Sequence, residues 1–111
     1  MRKLSIVILV TAVAGLLAAG ALAATRTVKL GDNYFVKNHT KPTITVKKGT
    51  KVTFQWTGKV VHNVRAFQGP AKFHSKLMSK GTYSRTLNAK GTYKLRCDVH
   101  PGPMQMTIKV N

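Results

Sequence analysis

The sequence predicts an all-β domain, a sandwich or barrel of short strands. Three features predict it. Apolar residues alternate with polar ones in several short runs, glycine-bearing turns separate those runs, and no stretch after the N-terminus sustains a helical period. Val28 and Leu30 share one face of the first run, with Thr27 and Lys29 opposite. Ile44 and Val46 repeat the pattern, and Val52, Phe54 and Trp56 extend it with Thr53 and Gln55 outward. Tyr93, Leu95 and Cys97 alternate with Thr92, Lys94 and Arg96. The last run sets Met104, Met106, Ile108 and Val110 against Gln105, Thr107 and Lys109. Gly31-Asp32-Asn33, Lys48-Gly49-Thr50, Thr57-Gly58, Gly69-Pro70, Lys80-Gly81 and Lys90-Gly91 are the turn signals between them. Residues 68–80 are the least strand-like and are expected to form a loop with a helical turn. Trp56 is read as core.

The 111 residues suffice for one domain. Met1-Arg2-Lys3, an apolar run from Leu4 to Ala24 and the Ala21-Leu22-Ala23 pattern read as a secretory signal peptide over residues 1–23. That leaves 24–111 as the mature domain, exported to the periplasm or beyond. The apolar run is also near membrane-spanning length, so an uncleaved N-terminal anchor is the alternative. No cysteine lies near the cleavage site, which argues against a lipoprotein.

Charge is lopsided: 19 Lys and Arg stand against 2 acidic residues, for a net +17. Removing Arg2 and Lys3 leaves +15. Such a surface either steers acidic partners from a distance or serves only to keep the protein soluble. Export and core-like placing of the aromatics argue against nucleic acid. Redox proteins with acidic docking surfaces are the expected partners, with an anionic envelope surface as a second candidate and the protein itself a monomer.

The chemistry concentrates in Cys97-Asp98-Val99-His100-Pro101-Gly102-Pro103-Met104. One cysteine cannot form an internal disulfide, and a lone thiol in an oxidising compartment invites oxidation unless a metal holds it. Thiolate, imidazole and thioether together are soft ligands that favour copper. Two prolines stiffen the loop, so it loses little freedom on binding. A trigonal copper site wants a second histidine and a weak axial methionine.

These residues resemble the cupredoxins, the small blue copper proteins related to plastocyanin, amicyanin and azurin. An early His-Asn pair in that family supplies the first ligand, and a late Cys-x-x-His loop ending in Met supplies the rest. His62-Asn63, Cys97, His100 and Met104 match. Val46 to Phe54 and Gly91 to Cys97 resemble the family's flanking segments. The resemblance implies a single Greek-key β-sandwich of about seven or eight strands holding one type 1 copper ion on His62, Cys97, His100 and Met104. Met104 is preferred over Met106 as axial ligand, Met106 being read as core. Asn63 is expected to tie the first-ligand segment to the cysteine loop. Arg96 stands where plastocyanins carry a tyrosine electron port, so transfer is expected through His100, with Pro101, Gly102 and Pro103 as a neutral patch inside a basic rim. Asp98 is expected near the metal, where its charge would favour Cu(II). His39 and His74 fall in no ligand pattern; His74 and Met78 would face the same way only on a helix.

The expected function is one-electron transport between redox partners, with a copper carrier or buffer as the alternative. No enzyme activity is expected, because the His-x-His elements of multicopper oxidases are lacking.

Overall fold

The computed structural model describes residues 24–111, so the expected signal peptide lies outside the described residues. Nine strands follow in order: β1 (Thr25–Gly31), β2 (Tyr34–Phe35), β3 (Thr43–Val46), β4 (Thr50–Trp56), β5 (Arg65–Gln68), β6 (Phe73–His74), β7 (Gly81–Leu87), β8 (Gly91–Arg96) and β9 (Gln105–Val110). They form two sheets, β2-β1-β4-β7 and β3-β9-β8-β5-β6. β1 runs parallel to β4, and β3 parallel to β9, because the chain changes sheets between them. The remaining strand pairs are antiparallel.

The period-two pattern sorts the side chains as expected. Val28, Leu30, Ile44, Val46, Val52, Phe54, Trp56, Tyr93, Leu95, Met106, Ile108 and Val110 all point into one core between the sheets. Removing such apolar surface from water is the main favourable term in folding. Four strands were not evident from the pattern: β2 and β6, of two residues each, and β5 and β7. β7 reads Gly-Thr-Tyr-Ser-Arg-Thr-Leu and buries only Leu87 fully, so it carries little apolar signal. It is an edge strand held by its full register against β4, from Thr50↔Leu87 to Trp56↔Gly81. β5 is short, and its register against β8 shifts between Ala66 and Gln68.

The helical turn expected in residues 68–80 is absent. Phe73–His74 instead forms the short β6 against β5, and Met78 bridges His62. His74 and Met78 therefore share no helix face. Gly49, with φ of 90°, supplies the left-handed turn into β4 and donates its N–H to the Leu87 carbonyl at 2.7 Å. The C-terminus is tied down by Asn111, which donates to Val46 and accepts from Lys48.

Val36 has φ of 67° although β-branched and 47% exposed. A β-branched residue in the left-handed region stores about 1–3 kcal/mol of strain. Val36→Asn, which tolerates that conformation, is predicted to raise the thermal midpoint. An unchanged or lower midpoint by calorimetry would show that Val36 is not strained.

Candidate metal centre

Four parts build the site at one end of the sandwich, three polypeptide segments and one hydrogen-bonded link. The first is Val60 to Val64, between β4 and β5. The Trp56 indole N–H donates to the His62 carbonyl at 3.0 Å inside the protein. His62 and Met78 exchange both backbone hydrogen bonds at 2.9 Å. Val64 donates to the Ser75 hydroxyl at 3.0 Å and accepts from the Ser75 N–H at 2.9 Å. Trp56 is thus core, as expected, and also fixes the backbone that carries His62.

The second piece is the β8–β9 connection. The Cys97 N–H donates to the Met104 carbonyl at 3.1 Å, and the Met104 N–H donates to the His100 carbonyl at 3.1 Å. These bonds close a loop in which Cys97 and Met104 are fully buried and His100 is partly exposed.

The third piece joins the first two. The Asn63 side chain donates to Asp98 Oδ2 at 2.8 Å and accepts from the Asp98 N–H at 2.8 Å. Asn63 is 3% exposed, so this pairing satisfies a buried amide. It is the link between ligand segments that the resemblance implied.

The donor atoms converge. His62 Nδ1 lies 3.8 Å from Cys97 Sγ, and His100 Nδ1 lies 3.7 Å from it. The three donor atoms all lie within 4.8 Å of one another, and the two imidazole rings sit 4.9 Å apart at 51°. A first-row metal about 2.1 Å from nitrogen and about 2.3 Å from thiolate, centred in a triangle, separates the two donors by about 3.8 Å. The spacing therefore fits a trigonal metal ion better than a direct S···N hydrogen bond. Met104, fully buried in the same loop, adds a thioether that suits copper rather than zinc. Met106 lies within β9 opposite Leu95, in the sheet interior.

The fourth piece was missed in the sequence. Asp32, read only as part of a turn, accepts from His62 Nε2 at 3.0 Å. It also accepts from the backbone N–H groups of Lys59 and Val60, each at 3.0 Å. The available signal was scarcity: Asp32 and Asp98 are the chain's only acidic residues. Both bond to the segment that carries His62.

The structure alters the expectation for Asp98. Its carboxylate is taken up by Asn63 and by Arg65 Nε at 2.8 Å, with Arg96 Nε at 3.5 Å. An arginine beside it offsets its charge, and the carboxylate links the His62 and Cys97 segments. Arg96 itself stacks over Phe67, 4.9 Å from the ring centroid.

Against this geometry, comparison with known proteins is specific. Residues 24–111 match the model of the copper binding proteins of the plastocyanin/azurin family. Amicyanin-alpha of Methylorubrum extorquens is 36% identical over 92 residues, spanning 77% of each chain. A reduced amicyanin mutant superposes with a TM-score of 0.67 at 28% identity, covering 85% of this chain and 89% of that one. An oxidised amicyanin mutant gives 0.66 at 26% identity, covering 84% and 89%. The chain belongs to the plastocyanin/azurin family, the cupredoxins, and its cofactor is copper.

Both acidic groups are held below the ordinary carboxylate value of 3.8. For Asp32 the hydrogen bond from His62 is the main cause, followed by that from Val60. For Asp98, burial works upward but is outweighed by hydrogen bonds from Asn63 and Arg65 and by the Arg65 charge. A lowered folded-state pKa gives stability that is complete above the unfolded value and lost as pH falls through the folded one. Copper-free protein should therefore lose stability as pH drops below 3.8. Urea melts of the Asp32→Asn, Asp98→Asn double variant should show a weaker dependence there. Equal slopes for variant and wild type would contradict the linkage.

Proposed function

We propose that the chain is an exported one-electron carrier, with His62, Cys97 and His100 as the trigonal copper ligands and Met104 as the weak axial one. On this reading residues 1–23 are the signal peptide and 24–111 the mature protein. Convergence of two imidazole nitrogens and one thiolate at trigonal spacing is the observation that carries it. Copper, when bound, supplies the Cu(II)/Cu(I) couple.

The protein's own residues do the rest. His62 is 1% exposed and Cys97 and Met104 are fully buried, which keeps water and substrates from the site. The thiolate and thioether suit copper over harder cations, and the imidazoles suit both of its oxidation states. Backbone ties at Cys97, His100, Met104 and His62 hold the donors in place, so a change of charge demands little rearrangement. That favours an electron carrier over a copper buffer, which must open to release its metal. On this reading the chain carries electrons and is not an enzyme.

His100 is the partly exposed member of the set and the natural exit for an electron. Around it in sequence are Val99, 49% exposed, and Pro101, Gly102 and Pro103, all exposed. Val60, Val61 and Leu77 are large exposed apolar residues beside the His62 segment and its Met78 bridge. Lys59, Lys76 and Lys80 are exposed on the same segments. An apolar face with basic neighbours suits an acidic redox partner.

Cu(II) added to the mature protein should produce an intense thiolate-to-copper visible band, absent in Cys97→Ser. A band that survives the substitution would remove Cys97 from the site. Met104→Leu should keep the band and raise the reduction potential, because a donor to Cu(II) is lost, whereas Met106→Leu should leave it unmoved. The reverse pattern would make Met106 axial. Electron exchange with an acidic partner should slow as salt rises, by screening over about 10 Å at 0.1 M. A rate indifferent to salt would contradict electrostatic docking.

A further inference from the structure

We propose that Asp32 is a positioning residue of the copper site: its carboxylate accepts the Nε2 proton of His62 and so commits that ring to binding metal through Nδ1. The inference rests on the reading of His62 as a copper ligand and adds a residue to it.

The geometry is specific. Nδ1 and Nε2 lie on opposite sides of the imidazole. One faces Cys97 Sγ at 3.8 Å and the other meets Asp32 Oδ1 at 3.0 Å. A neutral imidazole carries one proton, so the nitrogen that donates decides which remains to bind metal. The His62 backbone is already fixed by Trp56 and Met78, which sets where the ring starts but not how it turns or which nitrogen is protonated. Asp32 supplies that remaining restraint.

The carboxylate is itself seated. It accepts from Lys59 N–H at 3.0 and 3.2 Å and from Val60 N–H at 3.0 Å. Gly58 leaves the space: a Cβ there would collide with Asp32 Oδ1. The seat thus spans the β1–β2 turn and the segment entering His62, and it explains why a glycine stands at 58. Asp32 is 40% exposed on its side chain while His62 is 1% exposed, so the contact links a buried ligand to the surface. A hydrogen-bond acceptor behind a ligating histidine also makes the ring a stronger donor, which benefits Cu(II) more than Cu(I).

Two variants test it. Asp32→Asn keeps an oxygen that can accept from His62; Asp32→Ala removes the acceptor. The first readout is ¹⁵N NMR of the neutral His62 ring in copper-free protein, in which the shift of each ring nitrogen reports whether it carries the proton. Wild type and Asp32→Asn should carry the proton on Nε2, and Asp32→Ala should show a mixture of both tautomers. The second readout is copper affinity. Asp32→Ala should weaken Cu(II) binding about 10–100-fold, with a smaller loss for Cu(I). Each tenfold change in their ratio raises the reduction potential by about 59 mV. Asp32→Asn should recover most of the loss. An Asp32→Ala protein with wild-type tautomer and potential would overturn the proposal. So would an Asn variant as impaired as Ala, because charge rather than the hydrogen bond would then be acting. The NMR arm needs no metal, so it judges Asp32 even if wild-type protein fails to bind copper, a result that would instead defeat the ligand reading.

Discussion

The paired hydrogen bonds between Asn63 and Asp98 are the contact on which the site depends. They join positions 35 residues apart in sequence, one next to His62 and the other next to Cys97. Neither segment belongs to a strand at that point, so the sheet ladders alone do not set their separation. A buried amide that loses such a partner costs about 1–3 kcal/mol. The two ligand segments are therefore held at bonding distance by a polar clamp whose failure the folded protein resists.

The sandwich makes that clamp possible. β8 ends by delivering Cys97 on its inward face, and β9 begins just after Met104 returns to the core. The loop between them is closed by backbone bonds among Cys97, His100 and Met104. The chain enters the His62 segment from β4 and leaves it through β5, which pairs with β8. The same β5–β8 pairing that completes the sheet thus carries His62 towards Cys97. Arg65 in β5 reaches back to Asp98, adding charge to the amide clamp.

Much of this was legible in the sequence, for physical reasons. Half-buried strands betray themselves by period two, and Val52-Phe54-Trp56 or Met106-Ile108-Val110 could hardly be read otherwise. Soft ligands in one short loop announce a metal. What was hidden was hidden by chemistry too. β7 is an edge strand whose exposed faces need no apolar residues, so its sequence resembles a loop. The stretch from Phe73 to Met78 is extended because its hydrogen-bond partners, Arg65, Val64 and His62, lie elsewhere in the chain. Asp32 between Gly31 and Asn33 looks like turn chemistry, and its bond to His62 spans 30 residues. Asp98 was placed correctly beside the site, but its pairing with Arg65 depends on the β5–β8 register, which no local pattern records.

On the proposed reading, folding alone brings two imidazole nitrogens and one cysteine sulfur around a single copper ion. X-ray absorption at the copper edge of the loaded mature protein tests it most directly. One short copper–sulfur distance together with two imidazole nitrogens is the expected result. A spectrum with no short sulfur shell would contradict it.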